Sequence, residues 1–231
     1  EAWIYLNSSN RYSPITRKHI GADLGFDFGI DNGMIYYFSE GAPTGGARTE
    51  EIVEENQWNH VAVTLDGSTV QFWYNGNLVH EEEHILPSET DNPLYIGSFP
   101  NQLDYYTDGM ISSIRISDSV QYTEDFTPGA LALNESTVAL WNFTSSDNNT
   151  LVDLSENGID GTIYGTTSVD SCPESTFVGA SESNPGLDCE QILNEGFSRG
   201  DGTYWIDPTG TQTVQAECDM DAGGFTKIFA Q

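Results

Sequence analysis

The chain has 231 residues, of which 36 are acidic and 7 are basic, so its formal net charge at pH 7 is −29. This length allows one sizeable domain and a smaller one, while the shortage of lysine and arginine excludes nucleic-acid backbones and anionic membrane surfaces as partners. No apolar run approaches the roughly 18 residues of a membrane-spanning helix, so no membrane insertion is predicted for this segment.

Residues 1–168 show an all-β pattern, in which short aromatic and β-branched runs alternate with turn residues. The dipeptides Asn32-Gly33 and Asn75-Gly76 favour two-residue hairpin turns. No amphipathic helix is predicted, and such a succession of strands favours an antiparallel sandwich or barrel. The predicted strands cover residues 1–5, 26–30, 34–38, 58–65, 70–74, 78–79, 94–97, 110–116 and 138–143.

Three motifs in this part of the chain carry a resemblance to a known family. Residues 57–63 read Gln-Trp-Asn-His-Val-Ala-Val and precede a Phe-Trp-Tyr-Asn-Gly-Asn strand. An Ile-Gly pair at 96–97 is followed by Gly-Met-Ile at 109–111, and Trp-Asn-Phe at 141–143 is followed by an Asp/Asn/Gly-rich segment at 153–161. In this order the motifs resemble laminin-G-like or concanavalin-A-like lectin domains. The resemblance implies an antiparallel jelly-roll β-sandwich over residues 1–168.

The remainder of the chain reads as a linker, 169–187, and a smaller unit, 188–231. Cys189 and Cys218 flank a predicted strand pair, so we expect one disulfide to close a small subdomain. Cys172 is left over, and it either pairs with a cysteine of another chain or missing segment or remains a free thiol.

The smaller unit resembles the opening segment of fibrinogen-like domains. The matching stretches are Cys-Glu-Gln-Ile-Leu from Cys189, Tyr-Trp-Ile-Asp-Pro from Tyr204, Cys-Asp-Met from Cys218, and Gly-Gly-Phe-Thr, in which Phe225 stands where the family has tryptophan. The resemblance implies an extracellular or cell-surface protein in which this fibrinogen-like domain is incomplete.

The resemblance to the lectin family also implies a calcium site at the rim of the sandwich. Asp153, Asn157 and Asp160 would supply side-chain oxygens from one turn, and Asp108 would join them if its strand is a neighbour. Ser112 stands where the family often has an acidic residue. The alternative is that these residues form ordinary Asx turns.

Two sequence patterns suggest enzymes, and neither fits its surroundings. The segment 80–84, His-Glu-Glu-Glu-His, matches a zinc-protease pattern that needs a helix, but it follows a strand and precedes Pro87. Residues 51–55, Glu-Ile-Val-Glu-Glu, lack the middle aspartate of laminarinase-type glycosidases. Both are interpreted as exposed, charged segments, and the chain is predicted not to be an enzyme.

Exposed aromatic residues are candidate platforms for sugar rings. Tyr105 and Tyr106 lie in a predicted loop and are the first candidates, whereas Tyr36, Tyr37 and Trp73 lie in predicted strands, where aromatic residues are more often core. Residues 17–19, Arg-Lys-His, form the only basic cluster, which would seat an acidic partner or remain a solvated loop.

Four Asn-x-Ser/Thr sequons suit a secreted glycoprotein. They begin at Asn7, Asn134, Asn142 and Asn148. Together these features favour an extracellular, non-enzymatic adhesion module that recognises a glycan or protein at the cell surface, with calcium assisting. The alternative is a structural subunit of an extracellular filament that assembles with copies of itself through Cys172 or through strand pairing.

Overall fold

The computed structural model describes residues 1–19, 25–39, 46–98, 105–143, 146–147, 149–164, 179, 185–194, 201–220 and 223–226. The chain forms two compact units, one of Glu1–Phe126 with Leu131–Tyr164 and one of Thr127–Ala130 with Gly165–Gln231. The predicted boundary at residue 168 therefore falls outside the described residues. No helix in the described ranges is long and apolar enough to cross a membrane.

The first unit is an antiparallel β-sandwich, as predicted. Its six-stranded sheet has the order β11-β10-β1-β6-β7-β8. These strands are β1 Ala2–Leu6, β6 Trp58–Leu65, β7 Thr69–Tyr74, β8 Asn77–Glu83, β10 Gly109–Ser117 and β11 Thr137–Trp141. Its five-stranded sheet has the order β5-β4-β3-β2-β9. These strands are β2 Ser13–Arg17, β3 Phe26–Asp31, β4 Met34–Ser39, β5 Ala47–Ile52 and β9 Tyr95–Ile96.

The two asparagine–glycine turns set the hairpins that the sequence predicted. Asn32 and Gly33 join β3 to β4 with φ angles of 50° and 83°, and Asn75 and Gly76 join β7 to β8 with φ angles of 48° and 83°. Positive φ at both central residues is the geometry of a type I′ turn, whose twist matches that of the flanking strands.

The main core lies between the two sheets. Alternate residues of each strand point inward, so the six-stranded sheet contributes Ile4, Val61 and Phe72 while the five-stranded sheet contributes Ile15 and Ile30, all fully buried. Burial of such side chains stabilises the fold by about 1.5–3 kcal/mol each.

The outer face of the six-stranded sheet is also buried. Trp73 follows a register shift in β7 and packs on the side opposite Phe72, with its ring 5.9 Å from both Tyr122 and Phe126. The rings of Tyr122 and Phe126 stack 3.7 Å apart. The Trp73 indole also donates a hydrogen bond to Thr64 Oγ1 at 3.2 Å. The segment that follows β10 therefore covers this face.

A small third sheet completes the first unit. It contains β12 Ser146–Asp147, β13 Thr150–Leu151 and β14 Gly161–Thr162, in that order. The loop from β13 to β14 carries Asp153, a buried residue whose amide donates to Asp160 Oδ1 at 2.9 Å. This loop is tied to β11, because the amide of Leu154 donates to the carbonyl of Leu140 at 2.8 Å.

In its described residues, the second unit contains one short helix and a three-stranded sheet. They are α1 Cys189–Asn194, β15 Gly202–Ile206, β16 Val214–Asp219 and β17 Phe225–Thr226. Cys189 and Cys218 form the predicted disulfide. Both cysteines are fully buried, and they pack with Ile192, Ile206 and Met220 in a separate small core.

Several elements differ from the sequence predictions, among them β2, β5, the three short strands β12 to β14, and α1. Strands β2 and β5 were not predicted, because β2 contains Pro14 and β5 reads Ala-Arg-Thr-Glu-Glu-Ile. The prediction of no amphipathic helix did not include the six-residue helix α1, which Asp188 caps by accepting a hydrogen bond from the Gln191 amide at 2.7 Å. The Asp188-x-x-Gln191 spacing is a helix-start signal that could have revealed α1.

His84 was expected to be exposed, but it is buried. Only 2% of its surface is accessible, its ring packs 5.3 Å from Tyr37, and both of its ring nitrogens lack a hydrogen-bond partner. Burial lowers the pKa of His84. Since the unfolded histidine titrates near 6.5, this residue contributes stability that is present above about pH 6.5 and is lost as the pH falls below it.

Replacing His84 with leucine should therefore stabilise the first unit by about 1 kcal/mol at pH 7, because an unsatisfied buried polar group is removed. The difference in free energy of unfolding between the variant and the natural protein should increase as the pH falls toward 5. Urea unfolding across this pH range measures both effects. The control is His80→Gln, a change at a partly exposed histidine of β8. A variant less stable than the natural protein at pH 7 would contradict the prediction.

Candidate functional site

The outer face of the five-stranded sheet brings together aromatic and charged side chains. Strand alternation places Asp27, Gly29 and Asp31 on the side of β3 that faces away from the core. The register then places Tyr36 of β4 beside Gly29, and Arg48 of β5 beside Tyr36. We call this surface the tyrosine face, and it comprises Tyr12, Arg17, Asp27, Asp31, Tyr36, Arg48 and Tyr105.

Three tyrosine rings follow one another across this face. The ring of Tyr12 lies 5.8 Å from that of Tyr36 and 6.0 Å from that of Tyr105, edge to face in both pairs. The guanidinium of Arg48 lies 4.9 Å from the centre of the Tyr36 ring. Edge-to-face and cation–π contacts fix these side chains relative to one another, so the surface is preorganised. Tyr105 is 40% exposed and is therefore accessible to a ligand.

A buried ion pair lies beneath the rings. Arg17 and Asp27 are cross-strand neighbours, and Arg17 donates to Asp27 Oδ2 while the Tyr12 hydroxyl donates to Asp27 Oδ1. Burial raises the pKa of Asp27 to about 6, against the opposing effects of the hydrogen bond from Tyr12 and the positive charge of Arg17. At neutral pH the carboxylate is thus ionised. Burial and the Asp27 charge raise the pKa of Tyr12, so its hydroxyl remains a hydrogen-bond donor.

Gly29 allows this arrangement. A Cβ at this position would lie 2.6 Å from the Ser13 carbonyl and 3.1 Å from the Tyr12 hydroxyl. Only glycine leaves room for Tyr12 to cross β3 and reach Asp27. The sequence therefore places a residue without a side chain at the point where the tyrosine approaches the sheet.

A second ion pair lies at the other end of the row. Arg48 Nε donates to Asp31 Oδ2 at 2.9 Å, and the pair is partly exposed. Because the Arg48 and Asp31 side chains are 45% and 21% exposed, this pair presents both donors and acceptors to solvent. A ligand with hydroxyl groups could bind both members at once.

The predicted ligand residue Tyr106 lies at the rim of the tyrosine face. It is 48% exposed, and the guanidinium of Arg11 lies 4.2 Å from its ring centre. Arg11 also forms a 3.6 Å ion pair with Asp108. The two predicted tyrosines are thus both accessible, and Tyr105 belongs to the aromatic row itself. Ligand binding by either stays a prediction.

The other aromatic candidates differ in where they lie in the fold. Tyr36 lies on the tyrosine face, whereas Tyr37 and Trp73 are buried in the interior.

The basic cluster at residues 17–19 is not a solvated loop, because Arg17 is buried and its Nε donates to the carbonyl of His19 at 2.6 Å. Sequence reasoning missed Tyr12, Asp27, Asp31 and Arg48, because they become neighbours only through the strand register.

The residues predicted to bind calcium do not form one group. Asp153 accepts hydrogen bonds from the amides of Leu140, Ser155 and Ile159, each at 2.9 Å. Asp108 precedes β10, roughly 20 Å along that strand from the position that pairs with Leu140. Across the described ranges, no three His, Cys, Asp or Glu side chains lie close enough to hold a metal ion. Calcium binding by Asp153, Asn157, Asp160 and Asp108 therefore stays a prediction.

The histidine pentad does not have the geometry of a zinc protease. Its residues lie on β8 and just after it, so His80 and His84 are about 13 Å apart along an extended chain. Two imidazoles at that distance cannot bind one zinc ion at about 2 Å.

The remaining predicted sites concern covalent modification. Asn7 and Asn134 are exposed and Asn142 is half-buried. Asn148 and Cys172 lie outside the described residues. Glycosylation and inter-chain pairing therefore stay predictions.

Comparison with known proteins agrees with this fold. The family model described as the concanavalin A-like lectin/glucanases superfamily matches residues 1–125. A solved structure described as "a putative carbohydrate binding protein from Bacteroides ovatus" matches with a TM-score of 0.58 and 16% identity, covering 74% of this chain and 53% of that one. This chain thus spans about half the length of that protein, and the likeness shows the fold alone. No curated protein matches the chain.

The family model covers more than half of the chain and includes β1 to β10, on which the whole tyrosine face is built. The chain therefore belongs to the concanavalin A-like lectin/glucanases superfamily.

Proposed function

We propose that this chain is an extracellular, non-enzymatic module that binds glycans on the tyrosine face. The observation that carries the proposal is the row of tyrosine rings on one open sheet face, flanked by hydrogen-bonded ion pairs. Sugars have apolar faces that pack on aromatic rings and hydroxyl groups that need fixed donors and acceptors. A small number of placed polar groups on an aromatic surface is the usual composition of such sites.

The carboxylates of this face support binding without bond cleavage. Asp27 and Asp31 are four residues apart on one strand, which separates them by about 13 Å. Glycosidases that use two carboxylates need them about 5–9.5 Å apart. Both carboxylates also hold arginine side chains in place. These residues therefore serve better as positioning groups than as an acid–base pair.

The second unit supports an extracellular setting. The disulfide between Cys189 and Cys218 is typical of oxidising compartments. The helix, the strand pair and the glycines before Phe225 follow the order of the fibrinogen-like opening segment, so we propose that this unit is related to it. Calcium assistance, protein ligands at the cell surface, and assembly into a filament through Cys172 stay predictions outside the proposed mechanism.

Replacing Tyr36 with alanine should weaken glycan binding roughly 10- to 30-fold, or about 1.4–2 kcal/mol, because the centre of the aromatic row is lost. A glycan array identifies the ligand, and isothermal titration of the natural and variant proteins measures the change. Tyr164→Ala is the matched control, since this tyrosine is 83% exposed and lies after β14. Equal losses in both variants, or binding unaffected by Tyr36→Ala, would contradict the proposed site.

A further inference from the structure

The charges of the tyrosine face are compensated within the face itself, which is unusual in a chain of net charge −29. Arg17 pairs with Asp27, and Arg48 pairs with Asp31. At the rim Arg11 pairs with Asp108. Within the described residues, each of these three arginines thus has an aspartate partner. The face presents fixed dipoles rather than a net positive charge.

This inference rests on the proposed function and specifies its ligand. We propose that the tyrosine face binds an uncharged, hydroxyl-rich oligosaccharide, laid across the strands from Arg48 to Tyr105, and that it discriminates against carboxylated and sulfated sugars. Such a ligand offers hydroxyl groups that both accept from the guanidinium of Arg48 and donate to the carboxylate of Asp31. The ion pair then stays intact when the ligand binds.

Binding of an anionic sugar would be disfavoured for two reasons. Its carboxylate or sulfate would approach Arg48 beside the carboxylate of Asp31, so two like charges would lie close together. The rest of the chain adds a strongly negative field that repels polyanions before contact. Lys18, which has no ion pair in the described part of the chain, is half-buried and does not offset these effects.

The extent of the row indicates the size of the ligand. Arg48 lies on β5, Tyr36 on β4, and Tyr12 immediately before β2, so the row crosses three strand spacings, or roughly 14 Å. Tyr105 extends it beyond Tyr12, with 6.0 Å between the ring centres. Such a span exceeds a single sugar ring, so several linked sugar units contact the face together.

The test uses the full chain and three oligosaccharide sets of matched length: neutral, carboxylated and sulfated. Affinity is measured by isothermal titration at about 0.01 M and about 0.15 M salt, between which the Debye length falls from about 30 Å to about 8 Å. We expect binding to the neutral set, with affinity changing less than about twofold between the two salt concentrations. Tighter binding of either anionic set overturns the inference and leaves glycan binding standing. Binding to none of the three sets overturns both.

A charge-changing variant tests the role of the pair directly. Asp31→Asn leaves Arg48 uncompensated, so it should weaken neutral-sugar binding about tenfold and raise affinity for the anionic sets. Asp118→Asn makes the same change in net charge at an exposed position after β10. It should alter neither the affinity for neutral sugars nor that for anionic sugars. Identical behaviour of the two variants would refute the proposed role of the Asp31–Arg48 pair. Circular dichroism confirms that both are folded.

Discussion

Replacing Cys218 with serine is expected to unfold the second unit while the β-sandwich remains folded. The disulfide joins residues 29 apart in sequence, and a crosslink of this length stabilises by about 3.5 kcal/mol in the chain-entropy description. Among the described residues, the small core around the disulfide contains six buried side chains, two of which are the cysteines. A unit of this size depends on its crosslink, because it buries too little apolar surface.

Hydrogen exchange measures this effect strand by strand. Amides of β15 and β16 should lose their protection in the variant, whereas those of β3 and β6 should keep theirs. Cys172→Ser is the control, since it leaves the Cys189–Cys218 bridge intact while removing the third thiol. Unchanged protection of β15 and β16 in Cys218→Ser would show that packing alone holds the second unit together.

Replacing Asp153 with alanine should destabilise the β-sandwich by about 3 kcal/mol. The Asp153 carboxylate accepts from three backbone amides and, at 2.6 Å, from the Ser155 hydroxyl. Removing it leaves several donors without acceptors, and hydrogen bonds to a charged group contribute about 1.5–3 kcal/mol each at most. For a unit of this size the melting temperature should fall by about 6–12 °C.

The pH dependence of stability identifies why Asp153→Ala destabilises the β-sandwich. Burial acts to raise the pKa of Asp153, but the hydrogen bonds from Ser155, Leu140 and Ile159 outweigh it and hold the pKa below its usual value. Its contribution is therefore present above about pH 4 and is lost as the pH falls through the lower pKa of the folded state. The stability gap between the natural and variant proteins should narrow in strong acid. Glu156→Ala, at an exposed carboxylate in the same loop, should show neither effect.

Local signals predicted the hairpins, whereas contacts between distant segments decided the site. Asn32-Gly33 and Asn75-Gly76 were recognisable because each turn type demands particular residues. Strands β2 and β5 lack the usual alternation of apolar residues, because β2 contains Pro14 and polar residues such as Ser13 and Thr49 occupy buried positions. The polar residues of these strands obscured the strand pattern in the sequence. Two of them, Arg17 and Arg48, belong to the tyrosine face.

The candidate site itself was only partly predictable. Tyr36 and Tyr105 were recognised as aromatic candidates, but nothing local indicates that Tyr12 lies between them. That position follows from the register of β2 with β3 and from the missing side chain at Gly29. Likewise Asp153 was predicted as a calcium ligand because a loop aspartate can serve a metal or the backbone, and only its neighbours distinguish the two.

The two sheets of the sandwich differ in that Tyr122 and Phe126 cover Trp73 on the outer side of one of them, whereas the tyrosine face lies on the outer side of the other. Under the proposed function, each copy of the module binds glycans through this one face. Firm attachment to a polysaccharide coat then requires avidity, in which several copies held on one scaffold raise the effective concentration of the next binding event.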